Sequence, residues 1–179
     1  MIGIYGIEDD NELIRTKIKE IIGELEDSKK NLYTDNCILN SVLNIKYSAA
    51  QVADIKIESN IFVPKYMNID YGDMGVLFGN LLDNAIEANQ GVDRKKRWIN
   101  VSVKYEEHIL IINIKNSKIR GSRRKKKGYL NHGIGLNSVK QIVEKFNGIV
   151  EVQDFGEMYE VSAILYGICD DKDLGKSVL

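Results

Sequence analysis

Residues 80 to 88 read NLLDNAIEA, and four polar side chains, Asn80, Asp83, Asn84 and Glu87, fall there at i, i+3, i+4 and i+7. At 3.6 residues per turn this spacing draws one polar stripe down a helix. Around the stripe lie Val76, Leu77, Phe78, Leu81, Leu82, Ala85, Ile86 and Ala88, so the other sides of the helix are expected to be buried. A polar stripe on a buried helix needs a polar partner, which water, another chain, or a ligand with its metal can supply. An asparagine amide oxygen suits a hard cation, and Mg2+ takes few protein oxygens when phosphates and water provide the rest. The same residues also suit a structural network that closes the helix on neighbouring backbone.

A second group, His132-Gly133-Ile134-Gly135-Leu136, opens a helix. Two glycines before a helix let a phosphate approach unpaired backbone N–H groups and the positive end of the dipole. The spacing is neither GxGxxG nor a Walker loop, since no GK[ST] follows. His132 alone reads as a loop or packing residue rather than a catalyst. Residues 117 to 131 (SKIRGSRRKKKGYLN) precede it and hold Lys118, Arg120, Arg123, Arg124, Lys125, Lys126 and Lys127. Such a run is by default a solvated surface, and nucleic acid is one target for it. Tyr129 is its only aromatic residue, which gives no platform for stacked bases. Between the sheet and the glycine turn, the run fits a basic lid over a triphosphate better.

These residues need elements to hold them. Residues 8 to 31 carry Leu13, Ile14, Ile18, Ile21, Ile22 and Leu25 at helical spacing, a narrow apolar seam suited to a helical pair or dimer stalk. A second helix is predicted from about Asp35 as N-cap, with Ile38, Leu39, Val42, Leu43, Lys46, Ala49, Ala50 and Ala53 tracing its face. IKIES (55 to 59) reads as a short edge strand. The stripe helix follows from about Asp73 to Gln90 and ends at Gly91. INVSVKY (99 to 105) alternates, ILIINIKN (109 to 116) is rich in β-branched residues, and a hairpin about Glu106-Glu107-His108 joins them. In the second strand Leu110, Ile112, Ile114 and Asn116 share a face, so an asparagine ends an apolar row. GIGLNSVKQIVEKF makes a helix with Leu136, Val139, Val143 and Phe146 inward and Gly148 as its stop. GIVEVQDF and MYEVSAILYG form an antiparallel hairpin around Gly156. Helices segregated against a mainly antiparallel sheet predict the α+β class, as a two-layer α/β sandwich.

The 179 residues, 44% hydrophobic and 28% charged, have the composition of one soluble globular domain with a short extension. A formal net charge of -1 gives no global basic field for nucleic acid or an anionic membrane. No apolar stretch approaches the roughly 20 residues that span a bilayer. Cys37 and Cys169 lack the paired spacing of a zinc site, and reduced thiols in the cytoplasm are expected.

Taken in order, NLLDNAIEA, NIKNS and HGIGLNSV resemble the N box, a degenerate first glycine box and the second glycine box of the GHKL (Bergerat) ATP-binding fold, which gyrases and histidine kinases share. The resemblance covers roughly residues 35 to 167. It is strongest to quorum-sensing histidine kinases of the accessory-gene-regulator type, whose N box also runs LLDNAIEA and whose first box also ends in Asn-Ser. Residues 33 to 50 (YTDNCILNSVLNIKYSAA) resemble the helix that precedes the sheet in that group. The resemblance implies a mixed, mainly antiparallel sheet with helices on one face, and ATP with Mg2+ as cofactors. Asn84 is implied as the Mg2+ ligand bridging the phosphates, with Asn80 one turn earlier on the same face. Asp83 and Glu87 are implied to hold the amides or pair with the base. Asn116 replaces the usual aspartate that accepts the adenine amino hydrogen. Gly133 and Gly135 admit the phosphates, with Lys127, His132 and Leu136 beside the nucleotide. The first box lacks its usual DxGxG glycines.

In the hydrolysing branch of this family a glutamate stands four residues before the Mg2+ asparagine and activates water. Here that position is Asn80, which takes no proton near neutral pH. A histidine kinase is therefore favoured over a GHKL ATPase, an anti-sigma-type serine kinase or a non-catalytic ATP-binding module. The family's phosphoacceptor histidine lies in an upstream helix, in a His-Asp or His-Glu motif, a setting that neither His108 nor His132 has. Residues 1–32 are expected to end a dimerisation helix region and 33–179 to form the ATP-binding catalytic domain, the cytoplasmic part of a bacterial membrane sensor. Implied partners are the upstream histidine helix of the same or a partner protomer and a response regulator, in a homodimeric parent, without nucleic acid.

Overall fold

The computed structural model describes residues 31–121 and 134–169, without the side chain of Ile134. The chain divides into two compact units, Met1–Leu32 and Tyr33–Leu179, and the second is the subject here. The helix expected over residues 8 to 31 lies outside the described residues, save its last position.

Helix α1 spans Cys37–Val52. Its cap is Asn36 rather than Asp35: the Asn36 amide oxygen accepts from Leu39 N–H at 3.0 Å, while its nitrogen donates to the Lys65 carbonyl at 3.0 Å. The second bond is why the longer-reaching amide takes the position. Leu39, Leu43, Tyr47 and Ala50 are buried, whereas Ala49, expected on the inner face, is exposed.

Helix α2 spans Tyr71–Asn89. It starts ahead of Asp73 because Asp70 caps it, accepting from Gly72 N–H at 2.7 Å and Asp73 N–H at 3.3 Å. Met74, Leu77, Phe78, Leu81, Leu82 and Ala85 are buried. Each large side chain so buried contributes about 1.5–3 kcal/mol. Val76 is exposed and Ile86 and Ala88 are half-buried, so the apolar arc of the sequence is wider than the buried arc of the helix. Gly91 is not a left-handed stop. A Cβ there would stand 2.4 Å from Ile119 Cδ1, so the residue is small because a side chain passes over it.

Strand β1 (Lys56–Phe62) pairs parallel with β2 (Trp98–Glu106), a crossover that α2 makes possible. A short 3-10 turn, Arg94–Lys96, leads into β2. Then β2 pairs antiparallel with β3 (Ile109–Ser117), β3 with β5 (Met158–Tyr166), and β5 with β4 (Ile149–Asp154). The order is β1-β2-β3-β5-β4, a mixed, mainly antiparallel sheet with β1 at an edge. The β2–β3 turn is Glu107-His108, both at positive φ (46° and 66°), the two-residue form whose twist matches the strands. Leu110, Ile112, Ile114 and Asn116 are buried on one face, as their alternation requires.

Helix α3 spans Ile134–Lys145 and buries Val139, Ile142 and Val143. Its left-handed stop falls on Asn147 (φ 50°). Asn147 N–H donates to the Glu144 carbonyl and Gly148 N–H to the Val143 carbonyl, at 3.0 and 2.9 Å, a Schellman closure. Gly148 is needed for a different reason: a Cβ would lie 2.1 Å from the Ile164 carbonyl oxygen. The helices lie against one face of the sheet, and on the other Ile111, Ile149 and Tyr166 are exposed.

Candidate functional site

The stripe on α2 divides between two neighbours. At about 100° per residue, Asp83 lies about 60° to one side of Asn80 and Asn84 about 40° to the other. The Asp83 carboxylate turns toward α1, where Lys46 Nζ donates to both oxygens at 2.7 Å. Glu87 is exposed. Asn80 and Asn84, both half-buried, turn toward α3 instead. A Cβ built on Gly135 would meet Asn80 Oδ1 at 3.4 Å and Asn84 Nδ2 at 3.7 Å.

The first turn of α3, with its N–H groups that have no partner within the helix, is thus set beside two amides. Lys145 Nζ reaches Asp73 at 2.8 Å at the far end, so α3 runs antiparallel to α2. Half-buried Leu136 lies in that first turn. This end offers amide oxygens, backbone N–H donors and the positive pole of a dipole, a combination for a phosphate chain with its cation. Among the described residues no cluster of three histidine, cysteine or acidic side chains could hold a metal.

The other end of the site lies at the close of β3. Asn116 is 2% exposed, and its Nδ2 donates to the Ser117 carbonyl at 2.9 Å. The Ser117 hydroxyl donates to Asn89 Oδ1 at 2.6 Å and accepts from Trp98 N–H at 3.1 Å. Asn89, fully buried, donates through Nδ2 to the Ala85 carbonyl at 2.9 Å and the Trp98 carbonyl at 3.4 Å. Asn89 stands five residues past Asn84, about 7.5 Å along the axis. The sequence reading missed both Asn89 and Ser117. Asn89 falls outside the stripe's period, and the signal that could have found the pair is two adjacent polar residues ending an apolar strand.

Lys127, His132 and Gly133 lie outside the described residues, as does most of the basic run. Its beginning is not a lid. Ser117 belongs to β3, and the Lys118 side chain is only 10% exposed, paired with Asp154 and 5.9 Å from the centre of the Tyr159 ring. Hydrogen bonds from Lys118 and then from Gly156 N–H hold the Asp154 carboxyl below its ordinary range. Lys118 therefore fastens β3 to the β4–β5 hairpin. His108 sits in the β2–β3 turn with Nδ1 3.3 Å from the Ile168 carbonyl oxygen.

Residues 69–165, more than half of the chain, match the family model described as the GHKL domain. The probable C4-dicarboxylate sensor kinase of Bacillus subtilis (strain 168) is 32% identical over 95 residues, which cover 48% of this chain and 18% of that protein. The catalytic domain of histidine kinase ThkA superposes with a TM-score of 0.59 at 15% identity, covering 74% of this chain and 91% of that one. Acinetobacter baumannii histidine kinase AdeS gives 0.56 at 13% identity over 93% of this chain and 87% of that one. Full-length ShkA in complex with AMPPNP gives 0.56 at 14% identity, over 75% of this chain and 30% of that one. At these identities the structural likeness is one of fold. The matched segment contains the paired asparagines of α2, the glycine-opened α3 and the strand end at Asn116, and by it this chain belongs to the GHKL domain family.

Proposed function

We propose that this chain is the ATP-binding catalytic domain of a bacterial sensor histidine kinase, passing the γ-phosphate of ATP to a histidine on an upstream helix. The observation that carries this reading is the placement of Asn80 and Asn84 against Gly135. The sensor-kinase relative, the histidine-kinase folds and the AMPPNP held by ShkA support it. Asn80 and Asn84 offer neutral amide oxygens beside an open cradle, which fits Mg2+ shared with phosphates and water. Bound Mg2+ supplies charge neutralisation of the phosphates.

Each residue of the chain then has a stated task. Asn84 orients the cation, and Asn80 supports it without acting as a base. The N–H groups at the start of α3 take the phosphates. The Asn116 oxygen accepts from the adenine amino group, and Lys127, His132 and Gly133 complete the phosphate end. Asp83 is held by Lys46 and keeps α1 on α2. Positioning and charge neutralisation are most of what phosphoryl transfer asks of a protein. The parent would be a homodimeric membrane sensor of the quorum-sensing kind, with a response regulator downstream.

The test is transfer in trans. The chain is mixed with a helix segment of the parent that carries the acceptor histidine, and with γ-labelled ATP and Mg2+. Label on the imidazole, with very slow hydrolysis by the chain alone, is expected. Rapid steady ATP turnover by the chain alone would overturn the kinase reading.

A further inference from the structure

An amide has two unlike ends, and a purine base reads the difference. Adenine presents a 6-amino donor where guanine presents a 6-oxo acceptor. An asparagine that shows its oxygen to position 6 therefore favours adenine, and the same asparagine turned over favours guanine. Which way the Asn116 amide faces is a specificity determinant, and the side chain alone does not fix it.

The buried network at the end of β3 does. Asn116 Nδ2 donates to the Ser117 carbonyl at 2.9 Å, so the nitrogen end faces the protein and the oxygen is left for the opposite side of the amide plane. The Ser117 carbonyl cannot swing away, because the residue is clamped through its side chain. Its hydroxyl accepts from Trp98 N–H at 3.1 Å and donates to Asn89 Oδ1 at 2.6 Å. Asn89 is itself held one way round, since its Nδ2 donates to the Ala85 and Trp98 carbonyls. Every polarity in the series follows from the next, from two main-chain carbonyls on α2 and β2 to the amide of Asn116. Asn116, Ser117 and Asn89 are 2%, 5% and 0% exposed, so reversing any member would leave a donor or acceptor unmade away from water.

We infer that Asn89 and Ser117 act as positioning residues which lock the Asn116 amide with its oxygen outward, making the site selective for a 6-amino over a 6-oxo purine. This rests on the nucleotide-binding reading above and deepens it. The lock also explains why an amide is workable here. A carboxylate at position 116 has no hydrogen to give the Ser117 carbonyl, so the inward bond exists only with asparagine.

The experiment is calorimetry of the whole chain with Mg2+ and the non-hydrolysable analogues AMPPNP and GMPPNP, comparing the ratio of the two affinities. Wild type is expected to favour the adenine analogue by at least about tenfold, the value of one well-made hydrogen bond against a mispaired one. Ser117→Ala is expected to narrow the ratio by about fivefold or more, with guanine binding rising as adenine binding falls, and Ser117→Thr to restore it. Equal weakening of both analogues by Ser117→Ala, at unchanged ratio, would mean a merely structural role and would overturn the lock. A measurement on the wild type needs no variant to fold: the Asn116 side-chain amide hydrogens should exchange slowly in the nucleotide-free protein, and free exchange would also overturn it. Wild type binding neither analogue would instead sink the nucleotide reading, and the base selectivity with it.

Discussion

Gly135 stands so close to Asn80 that a Cβ would lie 3.4 Å from the amide oxygen, an ordinary contact distance that leaves no room for anything between. The gap is a place for a ligand atom rather than for packing. Gly135→Ala should fold normally, with a melting temperature within about 2 °C of wild type. Its affinity for Mg2+ and ATP should fall by about tenfold, equal to about 1.4 kcal/mol. Thermal denaturation and calorimetry on the same sample check both halves.

Asp83 belongs to the stripe by period but to α1 by contact. Its side chain is 59% exposed and its Lys46 partner 23%, so solvent screens the pair and its contribution is below about 1 kcal/mol. Asp83→Asn should lower stability by no more than that and leave the ATP dissociation constant within about twofold. Urea denaturation with parallel nucleotide titration measures both. A loss of binding beyond tenfold would return Asp83 to the ligand site.

Tyr47 sets an alkaline limit on the fold. Burial pushes its phenol up to about 12, outweighing the opposite influence of nearby Ser59, with which its hydroxyl makes no bond of regular geometry. A raised folded-state value means that the fold prefers the neutral phenol. The associated stability is complete below the ordinary value of 10.0 and is lost as pH rises through about 12. That loss amounts to about 2–3 kcal/mol. Tyr47→Phe removes it, so denaturation curves of variant and wild type should diverge between those limits in the variant's favour.

Gly148→Ala should be the costliest of the glycine substitutions. Its Cβ would meet the Ile164 carbonyl at 2.1 Å and Val143 Cγ1 at 2.7 Å, and a main-chain atom in a sheet cannot step aside as a side chain can. A loss of about 2–3 kcal/mol is expected from overpacking. Gly91→Ala, which meets only the far end of Ile119, should cost less than half of this. Chemical denaturation of the two variants gives the order.

The fold was legible where one period dominates. The alternation of Leu110, Ile112, Ile114 and Asn116 gave their shared face, and the i, i+4 spacing of Asn80 and Asn84 placed both beside Gly135. Period gives a face but not the neighbour, which is why Asp83 could be put on the stripe without its Lys46 being seen. End positions were read less well. Asn36 and Asp70, rather than Asp35 and Asp73, begin the helices, because a cap is chosen by a bond to backbone that composition does not reveal. Glycine was twice given the wrong reason: Gly91 and Gly148 are small for clearance rather than for a left-handed turn. Asn89 and Ser117 escaped altogether, since their bond joins positions 28 residues apart that no local pattern links.

The most direct measurement is calorimetric titration of the wild-type chain and Asn84→Ala with ATP, each with and without Mg2+. Wild-type affinity should rise by at least about tenfold on adding Mg2+, and Asn84→Ala should lose that rise while keeping its fold and its metal-free affinity. Identical Mg2+-dependent binding in the two proteins would contradict the placement of cation and phosphates between Asn84 and Gly135.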